Sequence, residues 1–181
     1  EGVFFSRLPK TLLRYPPGKT GVSFAVPSGV VGIGDGAFEG CSDLTEIMLP
    51  AEVSTIGENV FEGCDALAAI QVDTNNAVYA SQDGVLLSGD RRSLIRCPPG
   101  KAGDYAVPSG ITYIRGSAFS NCRRLTRITL PASLEWIDGS GFAGCSGLTA
   151  IDVDPANGSF CSVNGVLFGY NWIGLTLIYC P

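Results

Sequence analysis

A spacing of 23 residues recurs along this chain, and it limits the possible folds more than any single motif does. Phe24-Ala25-Val26-Pro27 returns 23 residues later as Ile47-Met48-Leu49-Pro50. The register then holds without a gap: Val30 maps to Val53, Ile33 to Ile56, Phe38 to Phe61, Cys41 to Cys64 and Leu44 to Leu67. A second pair runs from Tyr105-Ala106-Val107-Pro108 to Ile128-Thr129-Leu130-Pro131, with Ile114 matching Ile137, Phe119 matching Phe142 and Cys122 matching Cys145. A unit this short cannot bury its apolar positions alone, so successive units must stack as the coils of a solenoid.

Within one unit, Ile47-Met48-Leu49 alternates as a strand with one buried face, and Pro50 ends it because proline cannot donate to a ladder. Val53 and Ile56 then turn inward on a second extended stretch, and Gly57 permits a corner. Asn59 to Cys64 reads as a short helical turn with Phe61 and Cys64 pointing inward. Strands of adjacent coils are expected to pair in parallel at about 4.8 Å, as one sheet along the stack. A longer period is superimposed. Pro16-Pro17-Gly18-Lys19 returns as Pro98-Pro99-Gly100-Lys101, and Gly84-Val85-Leu86-Leu87 returns as Gly165-Val166-Leu167-Phe168. These segments read as inserted β-hairpins. The expected division of a single domain over 1–181 is therefore a hairpin (2–19), a first repeat block (20–73), a hairpin insert (74–101), a second block (102–154) and a last hairpin (155–181) turning near Tyr170–Trp172.

Leu125 to Cys145 resembles the BspA-like leucine-rich repeats of bacterial cell-surface proteins, whose pattern is Leu-x-x-Ile-x-Leu-Pro-x-x-Val-x-x-Ile-Gly-x-x-Ala-Phe-x-x-Cys. Asp138 replaces the Gly of that pattern and Gly141 the Ala. Asp83-Gly84-Val85-Leu86 and the run from Leu12 to Lys19 are also typical of the family. The resemblance implies a leucine-rich-repeat solenoid, mostly β, with a parallel sheet on one face, short helical turns opposite and inserted hairpins. It further implies secretion or display at the cell surface, adhesion or contact with a host protein, and no catalysis. It transfers no binding residue. The chain starts at Glu1 without an initiator Met, so a processed form or a fragment of a longer protein is expected.

The 181 residues contain no His, which removes His-based metal sites, general bases and catalytic triads together. A formal charge of −5 speaks against nucleic acid as a partner. The longest apolar stretch, Trp172 to Cys180, is too short for a bilayer, so no membrane insertion is expected here. Gly32-Ile33-Gly34-Asp35-Gly36-Ala37 mimics a dinucleotide fingerprint but lies at a repeat corner without a βαβ unit, so no cofactor is expected.

Four of the seven cysteines (Cys41, Cys64, Cys122 and Cys145) occupy one column and read as buried thiols. Cys161 and Cys180 leave two options open, free thiols or a disulfide. Asp35 and Glu58 share a column, as do Glu39 and Glu62, which permits a solvated acidic face or a weak Ca²⁺ site. Without an Asp-x-Asp-x-Asp-Gly loop the solvated face is the simpler reading. Asn157-Gly158-Ser159 is a glycosylation sequon or a turn. Candidate partner contacts are Glu46, Met48 and Gln71 on the first block, and Thr129, Asp152 and the cations Arg123, Arg124 and Arg127 on the second. The expected function is recognition of a protein or a glycan through the exposed sheet face, by a monomer. The alternative is a structural spacer without a ligand.

Overall fold

The computed structural model describes residues 2–171 and 174–181. The chain divides into two compact units, one comprising 1–90 with 98–100 and the other 91–97 with 101–181. The first holds β1 (Phe4–Phe5), β2 (Thr11–Arg14), β3 (Ser23–Ala25), β4 (Gly32–Ile33), β5 (Glu46–Leu49), β6 (Thr55–Ile56), β7 (Ala69–Val72), β8 (Tyr79–Gln82) and β9 (Val85–Ser88). The second holds β10 (Ser93–Arg96), β11 (Gly103–Ala106), β12 (Tyr113–Ile114), β13 (Leu125–Leu130), β14 (Trp136–Ile137), β15 (Ala150–Val153), β16 (Phe160–Val163), β17 (Val166–Asn171) and β18 (Gly174–Tyr179). Trp172, expected at the turn of the last hairpin, lies outside the described residues. Among the described residues no helix is long and apolar enough to cross a membrane.

The repeat spacing becomes ladder register. β3, β5 and β7 pair in parallel with Phe24, Ile47 and Ile70 in one row. β11, β13 and β15 do the same with Tyr105, Ile128 and Ile151. One ladder per stack was expected, and each unit has two. The short stretch after the proline corner also pairs, as β2-β4-β6 with Leu12, Ile33 and Ile56 in row, and as β10-β12-β14 with Leu94, Ile114 and Ile137 in row. β2, the closing arm of the first hairpin, supplies the first rung of one second ladder, and β10, at the end of the hairpin insert, supplies that of the other. A hairpin is thus built into the coil stack rather than hung from it.

Between the ladders lies the core. Ile47, Ile70, Phe38, Cys64, Ile114, Phe119 and Ile128 are wholly buried. Phe38 stacks on Phe61 with ring centroids 6.0 Å apart at 15°, and Phe119 on Phe142 at 5.4 Å and 11°. The rings lie nearly parallel because the repeat translates one aromatic side chain by one coil.

The expected helical turns are corrected by the structure: no helix occurs among the described residues. Alternate N–H groups in the turn row leave the coil. Gly36, Phe38 and Gly40 donate to the carbonyls of Glu58, Val60 and Glu62 on the neighbouring coil, at 2.9, 3.0 and 2.7 Å. Ala37, Glu39 and Cys41 instead close turns onto residues three positions back. Left-handed residues recur in the same row, including Asn59 (φ 53°), Gly63 (φ 70°) and Asn121 (φ 61°), and no α-helix tolerates such interruptions. Inward Phe and Cys three residues apart satisfy a turn row as well as a helix.

The cysteine column has a polar task. The Cys64 thiol donates to the Phe38 carbonyl and the Cys145 thiol to the Phe119 carbonyl, both at 3.0 Å. Each thiol thereby occupies a small apolar niche and serves a carbonyl of the preceding coil.

Asn76 and Asn157 close the two repeat blocks. The Asn76 amide nitrogen donates to the carbonyls of Pro50 and Val53 at 3.0 and 2.8 Å, and its oxygen accepts the N–H groups of Val78 and Tyr79. Asn157 repeats the arrangement on Pro131, Leu134, Ser159 and Phe160. After each comes an antiparallel hairpin, β8–β9 and β16–β17, turning at Asp83-Gly84 and Asn164-Gly165 with positive φ at both positions of each. A side chain at Gly84 would also stand 2.9 Å from Ala69.

Replacing Asn76 by Ala strands two carbonyls and two N–H groups at a buried site. The Asn76→Ala variant is expected to lose about 3 kcal/mol of stability, while Asn75→Ala on the exposed neighbour loses less than about 0.5 kcal/mol. Urea denaturation followed by circular dichroism measures both.

Candidate recognition surface

The first ladder of each unit offers an outward face, since residues flanking an inward position on a strand point to the other side. In the first unit two outward rows form, Ser23-Glu46-Ala69 and Ala25-Met48-Gln71. Met48 is 40% exposed, Gln71 is exposed and Glu46 is half-buried. Beside them a groove of about 280 Å³ runs across all three coils, lined by Ala25, Val26, Met48, Leu49, Gln71 and Asp73 among others. The sequence-derived positions Met48 and Gln71 therefore meet in one apolar depression with a carboxylate at its rim.

The second unit presents Asp104-Arg127-Ala150 and Ala106-Thr129-Asp152 in the equivalent rows. Here one member of the expected cationic cluster is engaged. Arg127 forms an ion pair with Asp152. The hydrogen bond to Asp152 and its charge, together with the more distant Asp104, hold the Arg127 guanidinium above its ordinary pKa. Asp104 in turn accepts a 2.7 Å hydrogen bond from the Thr126 hydroxyl. Arg123 and Arg124 are exposed on the turn before β13, outside these rows. The partner of Arg127 lies on the next coil, one outward row away, so the strand sequence alone does not disclose it.

The four acids considered for Ca²⁺ go separate ways. Asp35 accepts the Glu58 N–H at 2.8 Å, and Glu39 pairs with Arg14 at 2.9 Å. Arg14 also donates to the carbonyls of Gly36 and Glu39, so it caps the turn row of the next coil. Glu58 and Glu62 stay exposed, and among the described residues no three His, Cys, Asp or Glu side chains converge as a metal cage. Cys161 and Cys180 are free thiols. A hydrogen bond with Cys161 raises the pKa of the Tyr170 hydroxyl. The amide of Asn157 is spent on internal carbonyls, so the folded sequon is a structural turn.

One surface escaped the strand-face reasoning. On the second ladder Tyr113 and Trp136 lie on adjacent rungs, and Trp136 is 62% exposed. The signal was a repeat column reading Gly32, Thr55, Tyr113 and Trp136, small or polar in one block and aromatic in the other.

A family model described as the BspA-type leucine-rich repeat region matches residues 20–82 and 102–165, in six copies. This chain belongs to the BspA-type leucine-rich repeat family. No curated protein matches it. Among solved structures it is similar to the pneumococcal vaccine antigen PcpA, with a TM-score of 0.58 and 27% identity over 71% of this chain and 38% of that one. A leucine-rich cell-surface protein of Faecalibacterium prausnitzii matches with a TM-score of 0.54 and 29% identity, over 80% of this chain and 35% of that one. A leucine-rich repeat protein of T. pallidum shares the fold, with a TM-score of 0.53 and 24% identity over 82% of this chain and 67% of that one. The BspA-type chain thus spans less than two fifths of the first two proteins.

Burial sets the thiol chemistry of this BspA-type stack. Burial pushes the Cys145 thiol up to about 12, and it raises Cys41 and Cys97 as well. Iodoacetamide at pH 8 is expected to label Cys180 readily and Cys161 more slowly, and to spare the five buried thiols until denaturant is added; peptide mass mapping reads the pattern. Raised thiol pKa values favour the protonated folded state. Their stabilisation is complete below about pH 9, where unfolded thiols begin to ionise, and declines as pH rises toward the folded value near 12. The urea midpoint is expected to fall across that window.

Proposed function

We propose that this chain is a non-catalytic recognition module of a secreted or surface-displayed bacterial protein. It binds a macromolecular partner, a protein before a glycan, through the outward face of the first ladder. One observation carries this reading: the groove across β3, β5 and β7 brings an exposed Met48 together with Gln71 and Asp73 on a rigid sheet. Such a surface suits a protein segment, which can place an apolar side chain in the groove and hydrogen-bond at its rim. The inward rows fix the stack, so outward positions are free to carry specificity. Extracellular exposure is consistent with a similar protein being called a cell-surface protein and another a vaccine antigen.

The test is surface binding of the chain to a panel of extracellular-matrix proteins and glycans, at low and at physiological salt. Saturable binding at physiological salt is expected. Met48→Glu should weaken it at least about tenfold, the loss typical of a buried contact residue, with the melting temperature unchanged. Changing Arg123, Arg124 and Arg127 together to Ser should matter less. Silence across the panel would favour a spacer role.

A further inference from the structure

The second ladder of the unit built from 91–97 and 101–181 carries a feature that the coil stack does not require. Tyr113 and Trp136 pair in parallel register on β12 and β14, whereas the following Ile114 and Ile137 turn toward the core. The same row in the other unit reads Thr11, Gly32 and Thr55. A Cβ at Gly32 would stand 2.8 Å from Thr55 Oγ1 and 3.0 Å from Thr11 Oγ1, so that face is closed and polar. Ladder pairing therefore proceeds without aromatic side chains. The Trp136 indole stands 62% exposed, outside the inward columns that form the core.

Polar groups of defined position accompany the rings. Arg115 and Asp138 follow Tyr113 and Trp136 by two residues on the same face, and both are exposed. The Asp138 carboxylate is oriented: Oδ1 accepts the Gly139 N–H at 2.9 Å, and Oδ2 stands 3.5 Å from the Tyr113 hydroxyl. It occupies space left open by Gly116, where a Cβ would lie 3.0 Å from Oδ2. The face thus combines an aromatic surface with one cation, one anion and a phenol. It offers donors and acceptors with no net charge.

That combination selects the chemistry of the occupant. An anion meets Asp138 and a cation meets Arg115. A neutral ring with an apolar face and a hydroxylated edge meets neither. The C–H face of a pyranose lies against the electron-rich face of an indole, and hydroxyls at its edge donate charge-assisted hydrogen bonds to a carboxylate. We propose that Tyr113, Trp136 and Asp138 form a binding site for a neutral pyranose sugar, its ring on Trp136 and adjacent hydroxyls donating to Asp138. This site lies on a different ladder and in a different unit from the Met48 groove, and it stands whether or not that groove binds protein.

The probes are cellotriose, maltotriose, chitotriose and galactobiose, titrated against the chain with saturation-transfer NMR and tryptophan fluorescence as readouts. Saturable binding of at least one sugar is expected, unchanged between low salt and 0.5 M salt as befits a neutral ligand. Trp136→Ala should weaken it roughly tenfold or more. Asp138→Ala, at an exposed carboxylate, supplies a second loss that does not depend on how the indole variant folds. Met48→Glu should leave sugar binding intact. No binding of any of the four sugars overturns the proposal, as does binding that survives both substitutions. A response to tetramethylammonium in place of the sugars overturns it too, because it makes the site a cation receptor.

Discussion

Each coil of this protein satisfies its backbone on the coil beside it, and this exchange sets everything else. In the first ladder the Val26 N–H donates to the Met48 carbonyl, and in the second the Gly57 N–H donates to the Ile33 carbonyl. In the turn row Gly36, Phe38 and Gly40 donate to Glu58, Val60 and Glu62. Within a repeat block, three rows of bonds at three points of the circumference share one 23-residue step, and the strands that enter from the hairpins join at shorter steps, Thr11 to Gly32 and Ser93 to Tyr113. One inserted residue would set at least one row out of register and leave buried polar groups unpaired, at a cost comparable to a lost hydrogen bond for each. The constancy of the spacing follows from that penalty rather than from the side chains.

Once the backbone fixes the step, the inward columns inherit it. Phe stacks on Phe, Ile on Ile, and the thiols of the column cysteines Cys41, Cys64, Cys122 and Cys145 reach carbonyls of the coil before them. The ends of a block cannot continue this exchange, and there the chain spends unusual residues. Asn76 and Asn157 bond both ways from buried positions, while Arg14 covers turn-row carbonyls of the next coil. Polar side chains at block ends thus do what the neighbouring backbone does in the middle.

This difference explains what the sequence discloses. Columns filled by apolar residues are legible from the spacing, and so are the inward face of β5 and the outward position of Met48. The second ladder is not: β4 has only Gly32 and Ile33, too few residues for alternation to show. The turn row misleads because Phe38 and Cys41 have the separation of neighbouring turns in a helix, while the alternating inter-coil bonds that forbid a helix involve backbone alone. Asn76 and Asn157 break apolar periodicity and so read as loop. The Arg127–Asp152 pair joins two coils, and nothing within either strand announces it. Legibility ends where a residue's role is set by a neighbouring coil rather than by its own.

Outward positions carry the opposite consequence of the same rule. Since backbone exchange and inward columns hold the stack, outward side chains vary at little cost, and they vary by ladder and by unit. Residues 1–83 carry 4 basic against 11 acidic side chains, whereas 84–181 carry 8 against 6. Met48 sits beside carboxylates on one first ladder, while Arg127 is neutralised by Asp152 on the other. On the second ladders, glycine and threonine face outward in one unit and tyrosine and tryptophan in the other. A fold with two outward ladders per unit therefore separates stability from recognition twice over, and the surfaces change chemistry independently because backbone pairing and the inward columns set the register of the coils.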